Sequence, residues 1–85
     1  MKKQLLLFAL LPLFAMAQTS EECYEKGQQY YDSKNYAEAY KWFKQSADQG
    51  NAKAQNRIGN MYETGKGVTK DYGESLKWYL KAAEQ

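Results

Sequence analysis

Residues Tyr36–Gln49 read YAEAYKWFKQSADQ, and residues Tyr72–Gln85 read YGESLKWYLKAAEQ. Laid over each other at an offset of 36, they share six of 14 positions: Tyr36/Tyr72, Glu38/Glu74, Lys41/Lys77, Trp42/Trp78, Ala47/Ala83 and Gln49/Gln85. Chance gives about one match in such a length at ordinary residue frequencies. Self-similarity at this period is the signature of stacked repeats, each too small to bury its own apolar face.

A second correspondence lies upstream. Gly27-x-x-Tyr30 aligns with Gly59-x-x-Tyr62 at an offset of 32, so the second unit carries four extra residues between its two halves. They fall in Thr64-Gly65-Lys66-Gly67-Val68-Thr69-Lys70, whose two glycines read as a loop. Each unit then resolves into two helices. The first starts at Thr19 or Ser20 and runs to about Ser33, opened by Thr19-x-x-Glu22 in capping-box form. Cys23, Gly27 and Tyr30 at i, i+4, i+7 mark its buried stripe. The second spans about 36–49, capped by Asn35, with Tyr36, Ala39, Tyr40, Phe43 and Ala47 inward and Gly50 as its stop. The third, about 52–63, follows Asn51 and turns Ala54, Ile58, Met61 and Tyr62 to the core. The fourth, about 72–84, opens at Asp71-x-x-Glu74 with Leu76, Tyr79, Ala82 and Ala83 inward. No segment alternates as a strand does. Gly27 and Gly59 sit inside helices at equivalent places. The roughly 0.8–1 kcal/mol each costs there is offset by close packing.

These residues carry a resemblance. Ala54-Gln55-x-x-Ile58-Gly59-x-Met61-Tyr62-x-x-Gly65-x-Gly67-Val68-x-x-Asp71-Tyr72, then Leu76-Lys77-Trp78-Tyr79-x-Lys81-Ala82-Ala83, resembles a Sel-one-like repeat, a relative of the tetratricopeptide repeats with a longer inter-helix loop. Residues 19–50 are similar to the shorter tetratricopeptide unit and lack the G-x-G-V loop; residues 51–85 form the Sel-one-like unit. The resemblance implies an all-α fold of helical hairpins in a short right-handed solenoid. It also implies a scaffold that binds a protein or peptide along the first helix of each hairpin. On that face lie Tyr24, Gln28 and Tyr31 in the first unit and Asn56, Asn60 and Glu63 in the second. Such arrays need about three repeats. With two, the chain reads as a piece of a longer array, or as one that pairs with a partner or with itself through its last helix.

Residues 1–17 stand apart. Lys2 and Lys3 precede an apolar run of 13 residues, Leu5 to Ala17, ending in Ala15-Met16-Ala17. A bilayer span needs about 20 apolar residues; this pattern is that of a secretory signal peptide cut before Gln18. The expected location is therefore outside the cytoplasm, periplasmic or secreted, with no membrane attachment after cleavage. The whole chain has 12 basic and ten acidic residues. Lys2 and Lys3 leave with the signal, so residues 18–85 balance at zero net charge. That leaves no basic excess for nucleic acid. Cys23 is the single cysteine, which excludes an internal disulfide; on an apolar face it reads as a small core residue.

Catalysis finds little purchase. There is no histidine, so the commonest general base and metal ligand is missing, and Cys23 lacks an activating partner. Gly65 and Gly67 follow no strand and precede no Gly-Lys-Ser/Thr, so they are not a phosphate loop. The expectation is a binding module with no catalytic residues, no metal and no cofactor. The alternative is an exported cell-wall or β-lactam hydrolase, an activity attributed to some relatives of this kind.

Overall fold

A computed structural model describes residues 18–85. The predicted signal peptide, 1–17, lies outside the described residues. Four helices follow one another: α1 (Ser20–Asp32), α2 (Tyr36–Asp48), α3 (Ala52–Thr64) and α4 (Tyr72–Ala83). Among the described residues there is no strand. α1 packs on α2, α2 on α3 and α3 on α4, so the chain is two helical hairpins laid side by side, as the repeat requires.

Local chemistry sets the boundaries. Thr19 Oγ1 accepts from the Glu22 amide at 3.1 Å while Glu22 Oε1 accepts from the Thr19 amide at 3.0 Å, a complete capping box. Asn51 Oδ1 accepts from the Ala54 amide at 2.9 Å and Asp71 Oδ1 from the Glu74 amide at 3.0 Å. Asn35 departs from expectation: its side chain makes no capping bond. The three-residue link there is held by the backbone instead. Lys34 takes a left-handed φ of 63°, and the Asn35 amide donates to the Tyr30 carbonyl at 2.9 Å. Gly65 ends α3 with φ 74° and donates to the Met61 carbonyl.

The core runs along the middle of the stack. Ala39, Phe43 and Ala47 from α2 meet Ala54, Ile58 and Met61 from α3, with Trp78 from α4 closing the far side. Cys23 is fully buried, as its stripe predicts, and burial pushes its thiol pKa up. Both helical glycines mark close crossings. A Cβ on Gly27 would lie 2.6 Å from the Phe43 ring, and one on Gly59 2.9 Å from the Tyr79 ring.

The inward face of α4 differs from expectation. Ser75 and Trp78 are buried, whereas Leu76 is 58% exposed and Ala83 is also exposed. α4 has two apolar stripes. Ser75, Trp78, Tyr79 and Ala82 turn toward the stack, and Tyr72, Leu76 and Leu80 form a second stripe that faces solvent. Periodicity cannot say which of two stripes a helix buries.

Their counterparts in the first hairpin explain the outer stripe. Tyr36 and Tyr40, one repeat earlier than Tyr72 and Leu76, are covered by the second hairpin. Tyr40 and Tyr62 meet edge to face at 5.9 Å and share a hydroxyl hydrogen bond of 3.0 Å, and burial with that bond raises the Tyr40 pKa. The opposite end of the stack is polar. Glu22, Lys26 and Gln29 are exposed on α1 where α3, 32 residues on, buries Ala54, Ile58 and Met61.

Candidate functional site

The register of α3 places Lys53, Asn56, Arg57 and Asn60 at i, i+3, i+4 and i+7, one polar stripe bordering the buried Ala54, Ile58 and Met61. Facing it, α1 presents Tyr24 and Tyr31, which lean on the core: the Tyr24 and Phe43 rings are 5.5 Å apart, Tyr31 and Phe43 6.3 Å, and Tyr31 and Tyr36 5.0 Å. Between the helices runs an open groove lined by Tyr24, Lys53, Asn56, Arg57, Asn60 and Tyr79.

Three residues of the expected binding face, Tyr24, Asn56 and Asn60, therefore line one groove. Tyr31 joins it through Arg57, whose guanidinium carbon stands 5.4 Å above the Tyr31 ring and 5.9 Å from that of Phe43. Glu63 is not among the lining residues but accepts a hydrogen bond from the hydroxyl of Tyr79, which is, at 2.8 Å; burial, then this carboxylate, raises the Tyr79 pKa. Gln28 is turned along its own helix: its Nε2 donates to Asp32 Oδ1 at 3.1 Å, and its buried Oε1 has no partner among the described residues.

The sequence reading missed the cations. Lys53 lies 5.9 Å above the Tyr24 ring. Lys66, from the glycine loop, lies 5.6 Å from the Tyr31 ring and 5.2 Å from that of Tyr36, its Nζ donating to the Tyr31 hydroxyl at 3.5 Å. None of Lys53, Arg57 and Lys66 forms an ion pair among the described residues. The three ion pairs found there, Lys41–Glu38, Lys44–Asp48 and Lys77–Glu74, all lie within α2 or α4. A zero charge sum hides this segregation. The spacing Lys53-x-x-x-Arg57 was the available signal, since residues four apart share a helix face.

Comparison with known proteins gives the context. The Sel1 repeat profile matches residues 13–51 and 52–85, so both hairpins carry it, including the first with its short link. Such repeats mediate protein–protein interaction. The chain is similar to a chitin synthase regulator, SKT5, of Malassezia restricta, 47% identical over 47 residues, which is 55% of this chain and 3% of that protein. It thus spans a small fraction of that relative's length. No solved structure matches. With its period, its glycine crossings and both halves matched, the chain belongs to the Sel1 repeat family.

Proposed function

We propose that this chain is an exported scaffold that binds a protein or peptide segment in the groove between α1 and α3. The groove itself carries the reading. Tyrosine rings held rigid by the core stand beside Asn56 and Asn60, whose amides can both donate to and accept from an extended backbone. Peptides selected on the wild-type chain from a random displayed library test it. Asn56→Ala/Asn60→Ala is expected to weaken them roughly tenfold or more, about 1.4 kcal/mol, with the circular dichroism spectrum unchanged. Unchanged affinity sinks the groove assignment. Tyr31 is a poor alanine target, because its ring packs on Phe43 and Tyr36 and truncation loosens the fold along with the site. The hydrolase alternative finds no support in the groove, which is lined by amides, tyrosines and cations.

A specific observation favours a second contact surface. Tyr72 is 65% exposed and Leu80 54%, aligned with Leu76 on the outer side of α4. Self-association through this stripe runs face to face. A head-to-tail stack of copies would bring Leu76 to Tyr30, the α1 counterpart of Tyr62, but the rest of that face is the polar Glu22, Lys26 and Gln29. Export rests on Lys2-Lys3, the apolar run and Ala15-x-Ala17. Native mass spectrometry of the accumulated protein addresses both points: the expected species is a dimer of chains beginning at Gln18. Chains that begin at Met1 refute the cleavage, and a monomer at micromolar concentration refutes the pairing.

A further inference from the structure

Lys53 and Arg57 stand one helical turn apart on the groove side of α3, over the rings of Tyr24 and Tyr31. Lys66 continues the row beyond Tyr31. Asp32 and Glu63, the acids ending α1 and approaching the end of α3, are engaged by Gln28 and Tyr79, and neither lies within ion-pair distance of a cation among the described residues. The groove is thus cationic on a stack whose described residues balance in charge.

We propose that the groove's occupant is an acidic segment of a partner protein, extended, with carboxylates at alternate positions meeting Lys53, Arg57 and Lys66. The inference rests on the groove reading above and adds the partner's chemistry. The spacing supports it. Four residues of helix rise about 6 Å, and alternate side chains of an extended chain lie about 6.6 Å apart on one side. Acids two apart therefore meet cations four apart without strain. The Arg57 guanidinium carbon lies 5.4 Å from the Tyr31 ring and 5.9 Å from the Phe43 ring, and a guanidinium packed beside aromatic rings can offer a carboxylate two parallel N–H donors. The backbone between the acids passes Asn56 and Asn60, which lie on the same stripe. A phosphodiester polymer is the weaker fit, because the tyrosine rings are already capped by cations or packed on Phe43 and are not free to stack on bases.

Fluorescence anisotropy with a labelled Gly-Glu-Ala-Glu-Ala-Glu-Gly peptide tests the proposal, alongside its counterpart with glutamine at each glutamate and a short oligothymidylate. The glutamate peptide is expected to bind roughly tenfold tighter or more than the glutamine one, a preference that fades as salt rises. Lys53→Gln/Lys66→Gln should erase the preference, and Lys41→Gln/Lys77→Gln on the outer sides of α2 and α4 should not. The pair at 53 and 66 is chosen because Arg57 packs on the core and its loss perturbs folding; Arg57→Lys, which keeps the charge but not the fork, should weaken the glutamate peptide while leaving the glutamine one unchanged. Equal binding of both peptides, still sensitive to Asn56→Ala/Asn60→Ala, overturns the acidic preference and leaves the groove intact. Binding insensitive to the asparagines overturns the groove as well. Tighter binding of the oligothymidylate overturns the proposal in favour of nucleic acid.

Discussion

Phe43→Ala is expected to remove about a third or more of the chain's stability. The ring is fully buried and is the hub of the first hairpin. It fills the space that Gly27 opens in α1, supports Tyr24 and Tyr31, and lies under Arg57. Truncating a buried phenylalanine costs about 3–5 kcal/mol, the transfer free energy of the ring plus the cavity it leaves. A folded unit the size of residues 18–85 has a total stability of roughly 3–10 kcal/mol, so the loss is about a third of it or more. Urea titration followed by circular dichroism measures this. A midpoint shift worth less than about 1 kcal/mol would mean that the glycine crossing collapses onto the cavity. The groove is lost with the ring, since both platform tyrosines lean on it.

Gly67→Ala is expected to cost about 2–4 kcal/mol, far more than a loop substitution ordinarily does. Two terms add. The residue has φ 77°, where a side chain costs roughly 1–2 kcal/mol. An added Cβ would also stand 2.5 Å from the carbonyl oxygen of Tyr36, at the first turn of α2. That atom is backbone and cannot rotate away, so the loop must lift off the first hairpin, taking partly buried Val68 with it. Gly65→Ala separates the terms. Its φ of 74° carries the same conformational cost, but its Cβ would meet only Lys70, whose nearest atom, Cβ, is 3.4 Å away, an ordinary contact. Melting temperatures of the two variants should therefore differ clearly. Equal losses would show that the loop yields freely and that the clash term is absent.

Much of this was legible in advance, for identifiable reasons. Helix boundaries were readable because Thr19, Asn51, Asp71 and Gly65 act through bonds to residues three or four away, which sequence displays directly. The four-residue difference between units was readable for the same reason and appears as the longer link between α3 and α4. The inward face of α4 was not, because Trp78 and Leu76 are equally apolar and what decides between them is the position of α3. Tyr24, Asn56 and Asn60 were placed on the binding face by family likeness, and the structure adds Lys53, Arg57 and Tyr79 beside them. The cations were overlooked because a charge sum is a property of the chain, and the grouping of Lys53, Arg57 and Lys66 is a property of the fold. Lys66 in particular reaches Tyr31 from 35 residues away.

The contact pattern has a consequence for how such a chain forms and changes. Each helix packs on its neighbour in sequence, and no other pair among the described residues makes more than a marginal contact. Folding can therefore nucleate in either hairpin and spread by docking, and with so few distant pairings it should finish in microseconds to milliseconds. The same pattern bears on evolution. Because most packing joins neighbours in sequence, a hairpin can be inserted or deleted at the expense of few other contacts, chiefly those of Lys53 and Arg57 with Tyr24 and Tyr31 across α1 and α3, and the length of the molecule can drift while its local rules stay fixed.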